Sequence, residues 1–207
     1  MFWNLVAPFY GLFEKFYNRK VNQLLCLEIE QLTDNRDNVL ECACGTGMLS
    51  RCIARKAASL VATDFADGML RQARKKCASL DNVVIERADI TALPYMSERF
   101  DKVVAGNVIH LLDHPEIALK ELLRVCKPGG KVIIPTYINN ENIGQPSIFV
   151  ELLSKCGAQF KRQFDYQTYK QFFVDKGYPD AEFSIVRGKM PCAVAVIIKP
   201  SKKDKRL

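Results

Sequence analysis

The chain lacks the marks of several protein classes. None of its eight cysteines falls in a C-x-x-C pair, and its two histidines, His110 and His114, stand away from any cysteine cluster. No zinc or other metal site is therefore expected. No apolar run is long enough to cross a bilayer, so no transmembrane segment is expected either. The opening MFWNLVAPFYGLFEKF is aromatic and apolar, but it has neither the basic start nor the small-residue cleavage site of a secretory signal. Most cysteines lie in apolar strand or helix patterns. Together these features predict buried free thiols in a reducing, cytoplasmic setting rather than a disulfide framework. An RNA-binding signature and a recognition helix are also missing.

What is present fits one compact domain. The chain has 207 residues and is 48% hydrophobic, ordinary for a protein that buries a good core. The net charge of +7 is concentrated at one end. From Lys199 to Arg206 there are five bases and one acid, so four of the seven charges sit there. Residues 200–207 read as a solvated basic tail. Its rival use is to hold a polyanion through phosphate contacts.

The most informative stretch is Val39-Leu40-Glu41-Cys42-Ala43-Cys44-Gly45-Thr46-Gly47. β-favouring residues lead into an acid, then into small residues and two glycines. Met48 to Ala54 follows as a helix. Glycines suit a sharp turn that a ligand must approach closely. A dinucleotide fingerprint would place a third glycine where Ser50 stands. A carboxylate at Glu41 would sit poorly beside a pyrophosphate and well beside a cationic ligand. These two departures argue against the rival reading, a nicotinamide-dependent oxidoreductase.

The run VLECACGTG resembles motif I of the class I S-adenosylmethionine-dependent methyltransferases, an acid followed by G-x-G-x-G, with Ala43 in place of the first glycine. Alanine keeps the loop plausible if φ is negative there. ATDFADGMLRQARKK resembles the family's second motif, and ELLRVCKPGGKVII the segment before its fifth strand. The resemblance covers about residues 38–199 and is strongest to the group around the ubiquinone and menaquinone C-methyltransferases. It implies an α/β fold: a doubly wound seven-stranded sheet, order 3-2-1-4-5-7-6, last strand antiparallel, flanked by helices. It also implies S-adenosylmethionine as cofactor, a small, partly apolar methyl acceptor and in-line displacement at the sulfonium methyl.

The remaining sites follow in chain order. Asp64 ends the strand Ser59 to Asp64, 17 residues after Gly47, where a βαβ site places its ribose carboxylate. Asp67 is expected to cap the next helix. Asp89 and Ile90 match the family's adenine-binding positions. The resemblance therefore implies Glu41, Ala43, Cys44, Gly45, Gly47, Asp64, Phe65, Met69, Asp89, Ile90 and Asn107 as cofactor contacts. Asn107 and His110, after the fourth strand, are the catalytic candidates. His110 equally fits a packing or capping role.

Residues 1–34 read as a helical N-terminal element, with Phe9, Phe13 and Phe16 at helical spacing. The plain account is a helix on the sheet edge. In relatives such a helix closes over the ligands, which makes Tyr10 and Tyr17 lid candidates. Residues 35–199 form the methyltransferase domain. Ser147 to Cys156 and Asp165 to Lys176 read as helices, and residues 181–198 as a hairpin that completes the sheet. The identity of the acceptor and the oligomeric state are not legible.

Overall fold

The computed structural model describes residues 3, 4, 6–8, 17–139 and 161–201. Tyr10, the phenylalanines at 9, 13 and 16, the predicted helix at 147–156 and the tail from 202 lie outside the described residues.

Seven strands form one sheet in the order β3-β2-β1-β4-β5-β7-β6. They are β1 (Asn38–Cys42), β2 (Ser59–Asp64), β3 (Val83–Arg87), β4 (Phe100–Ala105), β5 (Cys126–Tyr137), β6 (Glu182–Val186) and β7 (Cys192–Ile198). β1 to β5 pair in parallel, while β7 runs antiparallel to both β5 and β6. This is the expected topology. The central strands are buried on both faces, which is why VLEC and KVVA read as near-continuous apolar runs.

Alternate residues serve opposite cores, as a period of two requires. Leu40, Cys42 and Val103 pack toward α4 (Pro115–Val125) and α5 (Tyr166–Asp175). Val39 and Val104 pack toward α1 (Arg19–Gln31) and α2 (Met48–Ala54), with α3 (Asp67–Cys77) on the same side. α1 buries Val21, Leu25 and Ile29 in that core. That face of α1 thus packs into the body of the domain. The turn before it is tied down as well: the Asn18 side chain donates to the Met190 carbonyl at 2.8 Å and accepts the Met190 N–H at 3.2 Å.

Local chemistry explains the ends of several elements. Pro115 opens α4, where its missing N–H costs nothing. Asp165 caps α5 through a reciprocal bond with Thr168. Gly129, at φ 76°, makes the turn that the K-P-G-G phrase predicts, although the hydrogen-bonded strand already begins at Cys126. Among the described residues no helix is long and apolar enough to cross a membrane, and no cluster of His, Cys, Asp and Glu could hold a metal ion.

The thiol expectation needs correction. Cys26 on α1 and Cys52 on α2 are joined by a disulfide, their Cα atoms 5.5 Å apart. Both had read as helical core positions. The packing of α1 across α2 brings them together, a long-range contact that no local pattern encodes. Cys42, Cys44, Cys77, Cys126 and Cys192 are free and buried.

Candidate active site

A cavity of about 730 Å³ opens at the carboxyl ends of β1, β2, β3 and β4. That is where a doubly wound sheet leaves a crevice, and the volume suits a small-molecule site. The turn after β1 forms its floor. Ala43, Gly45 and Gly47 take φ values of 53°, 56° and 83°. Alanine at position 43 is therefore left-handed, so the condition of a negative φ is not met. The loop keeps its glycine geometry even where the glycine is gone.

Two carboxylates shape this floor, Glu41 buried and Asp64 half-buried. Glu41 accepts a 2.5 Å hydrogen bond from the Ser50 hydroxyl. Asp64 accepts the Gly45 N–H at 2.9 Å through one oxygen and the Ala66 N–H at 2.8 Å through the other. Burial pushes the Asp64 carboxyl above its usual range, and those N–H groups partly offset the rise. Burial, then the charges of Glu41 and Asp64, holds the Cys44 thiol well above its ordinary value. Cys44 is thus a wall, not a nucleophile.

At the far side, Asp89 accepts from the Thr91 N–H and hydroxyl at 2.8 and 2.7 Å. Phe65, also in the cavity lining, is 48% exposed, with the Arg87 guanidinium 5.0 Å over its ring. Asn107 sits at φ 54° after β4. Its side-chain oxygen accepts the Tyr137 N–H at 2.8 Å, and its own N–H donates to Pro135 at 2.7 Å. It ties the end of β4 to β5 as well as lining the cavity.

The structure brings together Glu41, Ala43, Cys44, Gly45, Asp64, Phe65, Met69, Asp89, Ile90 and Asn107 in one wall. Gly47 is not in that wall. A Cβ there would meet Ala73 Cα at 3.1 Å, so this glycine serves the close packing of α2 on α3. Tyr17 also lies elsewhere, its ring beneath the Lys189 ammonium at 4.0 Å. His110 is 9% exposed and is not part of the described wall, and burial lowers its pKa to about 4. Its carbonyl accepts the N–H groups of Lys161 and Arg162.

Sequence reasoning passed over several wall residues: Trp3, Met48, Leu49, Thr91, Leu111, Leu112, Asp113, His114 and Ile117. The apolar ones among them lie in the N-terminal segment, on α2, on α4 and in the turn before α4, where an apolar position looks the same for core as for a pocket. His114 precedes α4 with its Nδ1 3.3 Å from Glu116 Oε1. Asp67 does not cap α3 with its side chain, as had been expected; Asn4 reaches in to accept the Gly68 N–H at 2.7 Å.

Glu41, Asp64, Asp89 and Asp113 line the cavity, and no lysine or arginine does so among the described residues. A pyrophosphate would find carboxylates there and no countercharge. A ligand with a cationic centre and ribose hydroxyls fits the donor set.

Known proteins agree. Residues 40–134 match the family described as methyltransferase domain. A demethylmenaquinone methyltransferase of Clavibacter sepedonicus is 40% identical over 98 residues, 47% of this chain and 40% of that protein. One from Renibacterium salmoninarum is 30% identical over 172 residues, 72% of this chain and 70% of that protein. The chain thus spans less than half of the first relative and just over two thirds of the second. A solved S-adenosylmethionine-dependent methyltransferase from Aquifex aeolicus shares the fold at a TM-score of 0.61 and 20% identity, over 83% of this chain and 86% of that one. The chain belongs to the class I S-adenosylmethionine-dependent methyltransferases, in the group that holds the demethylmenaquinone enzymes.

Proposed function

We propose that the chain transfers the methyl group of S-adenosylmethionine to a small, partly apolar acceptor in the cytoplasm. The observation that carries this reading is the acid-lined cavity above the motif I turn. Glu41 would face the cationic methionine end, Asp64 the ribose hydroxyls, Phe65 and Met69 the purine face, and Asp89 with the Ile90 N–H the purine edge. When bound, the cofactor supplies an electrophilic methyl on sulfur. The residues of this chain hold and align the partners and keep water out.

The acceptor end is marked by Val108, Leu111, Leu112 and Ile117, with Asp113 and His114 at its rim. That combination suits a ligand with an apolar body and a polar head. Demethylmenaquinone, for which the two relatives are named, is the first compound to test. For an acceptor that must lose a proton, His114 is the base we put forward in place of the enclosed His110. Asn107 remains a candidate ligand contact.

Thermal melting tests the cofactor, since a ligand of the native state raises the melting temperature by mass action. Millimolar S-adenosylhomocysteine is expected to raise it and a nicotinamide dinucleotide to leave it unmoved. The reverse pattern would overturn the reading. A methyl-transfer assay across quinols, phenols, thiols and amines, detecting S-adenosylhomocysteine, then identifies the acceptor. Activity confined to RNA or DNA would overturn the small-molecule assignment.

A further inference from the structure

The N-terminal residues Trp3, Asn4 and 6–8 are helical and lie against the start of α3. Three observations define that contact. The Asn4 side-chain oxygen accepts the Gly68 N–H at 2.7 Å. α3 has no side-chain cap at Ala66, so Asn4 satisfies one of the first N–H groups that a helix leaves open. A Cβ on Gly68 would come within 2.9 Å of both the Cα and the carbonyl oxygen of Asn4, so glycine is what lets the two backbones touch. Finally, Ala7, Ala66 and Met69 are buried together, with Trp3 and Val6 packed against them. Trp3 itself stands in the cavity wall on the side of Phe65 and Met69.

We infer that Trp3 is a ligand-contacting residue of the cofactor cavity and that Asn4 is the positioning residue that holds it there through Gly68. The inference rests on the methyltransferase reading above and names what completes that site. An indole offers a broad, rigid apolar face, and its π-system attracts a cation. Both properties suit an adenosyl sulfonium. Among the described residues the hold includes the Asn4–Gly68 hydrogen bond and a small apolar cluster.

The chain contains one tryptophan, so its indole emission reports on Trp3 alone. S-adenosylhomocysteine is titrated into the full chain while emission is followed, and its affinity is measured separately by calorimetry. Saturation is expected to change the emission of the unaltered chain. Asn4→Ala and Gly68→Ala should each move the free-state emission to the red and weaken S-adenosylhomocysteine by about fivefold, the scale of one hydrogen bond. Alanine forms helix better than glycine, so a loss in Gly68→Ala is not a loss of α3. Asn4→Asp keeps the accepting oxygen and should bind nearly as the unaltered chain does. Unchanged affinity in both alanine variants, or emission that ignores saturating ligand, overturns the inference while leaving the cofactor assignment standing. Failure of the unaltered chain to bind S-adenosylhomocysteine sinks both.

Discussion

The Ser50 hydroxyl donates to the Glu41 carboxylate at 2.5 Å, and both side chains are buried beneath the cavity. Ser50 stands where a dinucleotide-binding turn carries its third glycine. Here the buried Ser50 side chain holds the acid at the floor. Ser50→Ala removes a hydrogen bond to a charged group, worth roughly 1.5–3 kcal/mol. We expect weaker binding of S-adenosylhomocysteine by calorimetry, with the fold retained by circular dichroism. A folded Ser50→Ala protein with full affinity would remove Ser50 from this role.

Ala43 makes the turn at φ 53°, a conformation that L residues other than Gly, Asn and Asp seldom adopt. Ala43→Gly should therefore stabilise the protein by about 1 kcal/mol, the lower end of the left-handed penalty. The cavity floor is unchanged, so cofactor affinity should hold. Urea unfolding of the two proteins decides it, and a lower midpoint for the glycine variant would mean that the loop carries no strain at Ala43.

Much of this was legible because the local signals are chemical. A strand, an acid and a G-T-G turn can be read in Val39 to Gly47, and an acid at a strand end in Asp64, since each needs only neighbours in sequence. The sheet order followed from the family resemblance that those residues carry. What was not legible depends on residues far apart. Cys26 and Cys52 meet only through the crossing of α1 over α2. Trp3 lines the cavity in a segment whose Asn4 accepts the Gly68 N–H, 64 residues away. The spacing of aromatic residues in the N-terminal element drew the eye to Tyr17, whose ring belongs to the β6–β7 turn through Lys189. His110 and His114 are four apart, and only the packed turn decides which one lines the cavity.

His110 supplies a pH dependence. Burial lowers its pKa from 6.5 to about 4, so the folded state binds the proton less readily than the unfolded chain does. Between those two values the unfolded state holds more protons, and stability falls as the pH is lowered. The full effect is on the order of 3 kcal/mol, lost between about pH 6.5 and 4. His110→Leu should flatten that limb of the stability curve, whatever it does to stability at neutral pH. Equal slopes for the two proteins in urea unfolding at pH 7, 5.5 and 4.5 would show that His110 titrates normally in the fold.

The bond between Cys26 and Cys52 closes a loop with a sequence separation of 26. In the chain-entropy account, such a link stabilises the fold mainly by restricting the unfolded ensemble, here by about 3 kcal/mol. For a chain of this size, 1 kcal/mol moves the melting temperature by about 2–4 °C. Dithiothreitol should then lower it by roughly 6–12 °C. Cys26→Ser should melt at the reduced value and show no response to dithiothreitol. The other described cysteines do not interfere, because burial holds their thiols in the unreactive form: Cys42 is pushed up to about 12 and Cys126 to about 11. The link also bears on the site. Cys52 lies one turn after Met48, which lines the cavity, and its sulfur is 3.3 Å from the Met48 carbonyl oxygen. Cofactor affinity measured on the oxidised and reduced proteins therefore separates two roles. A drop in melting temperature with unchanged affinity makes the link a structural staple. A matching loss of affinity makes it part of what holds the motif I helix under its ligand. If the unaltered chain and Cys26→Ser melt together with and without reductant, the two sulfurs are not bonded in solution, and the expectation of free thiols stands after all.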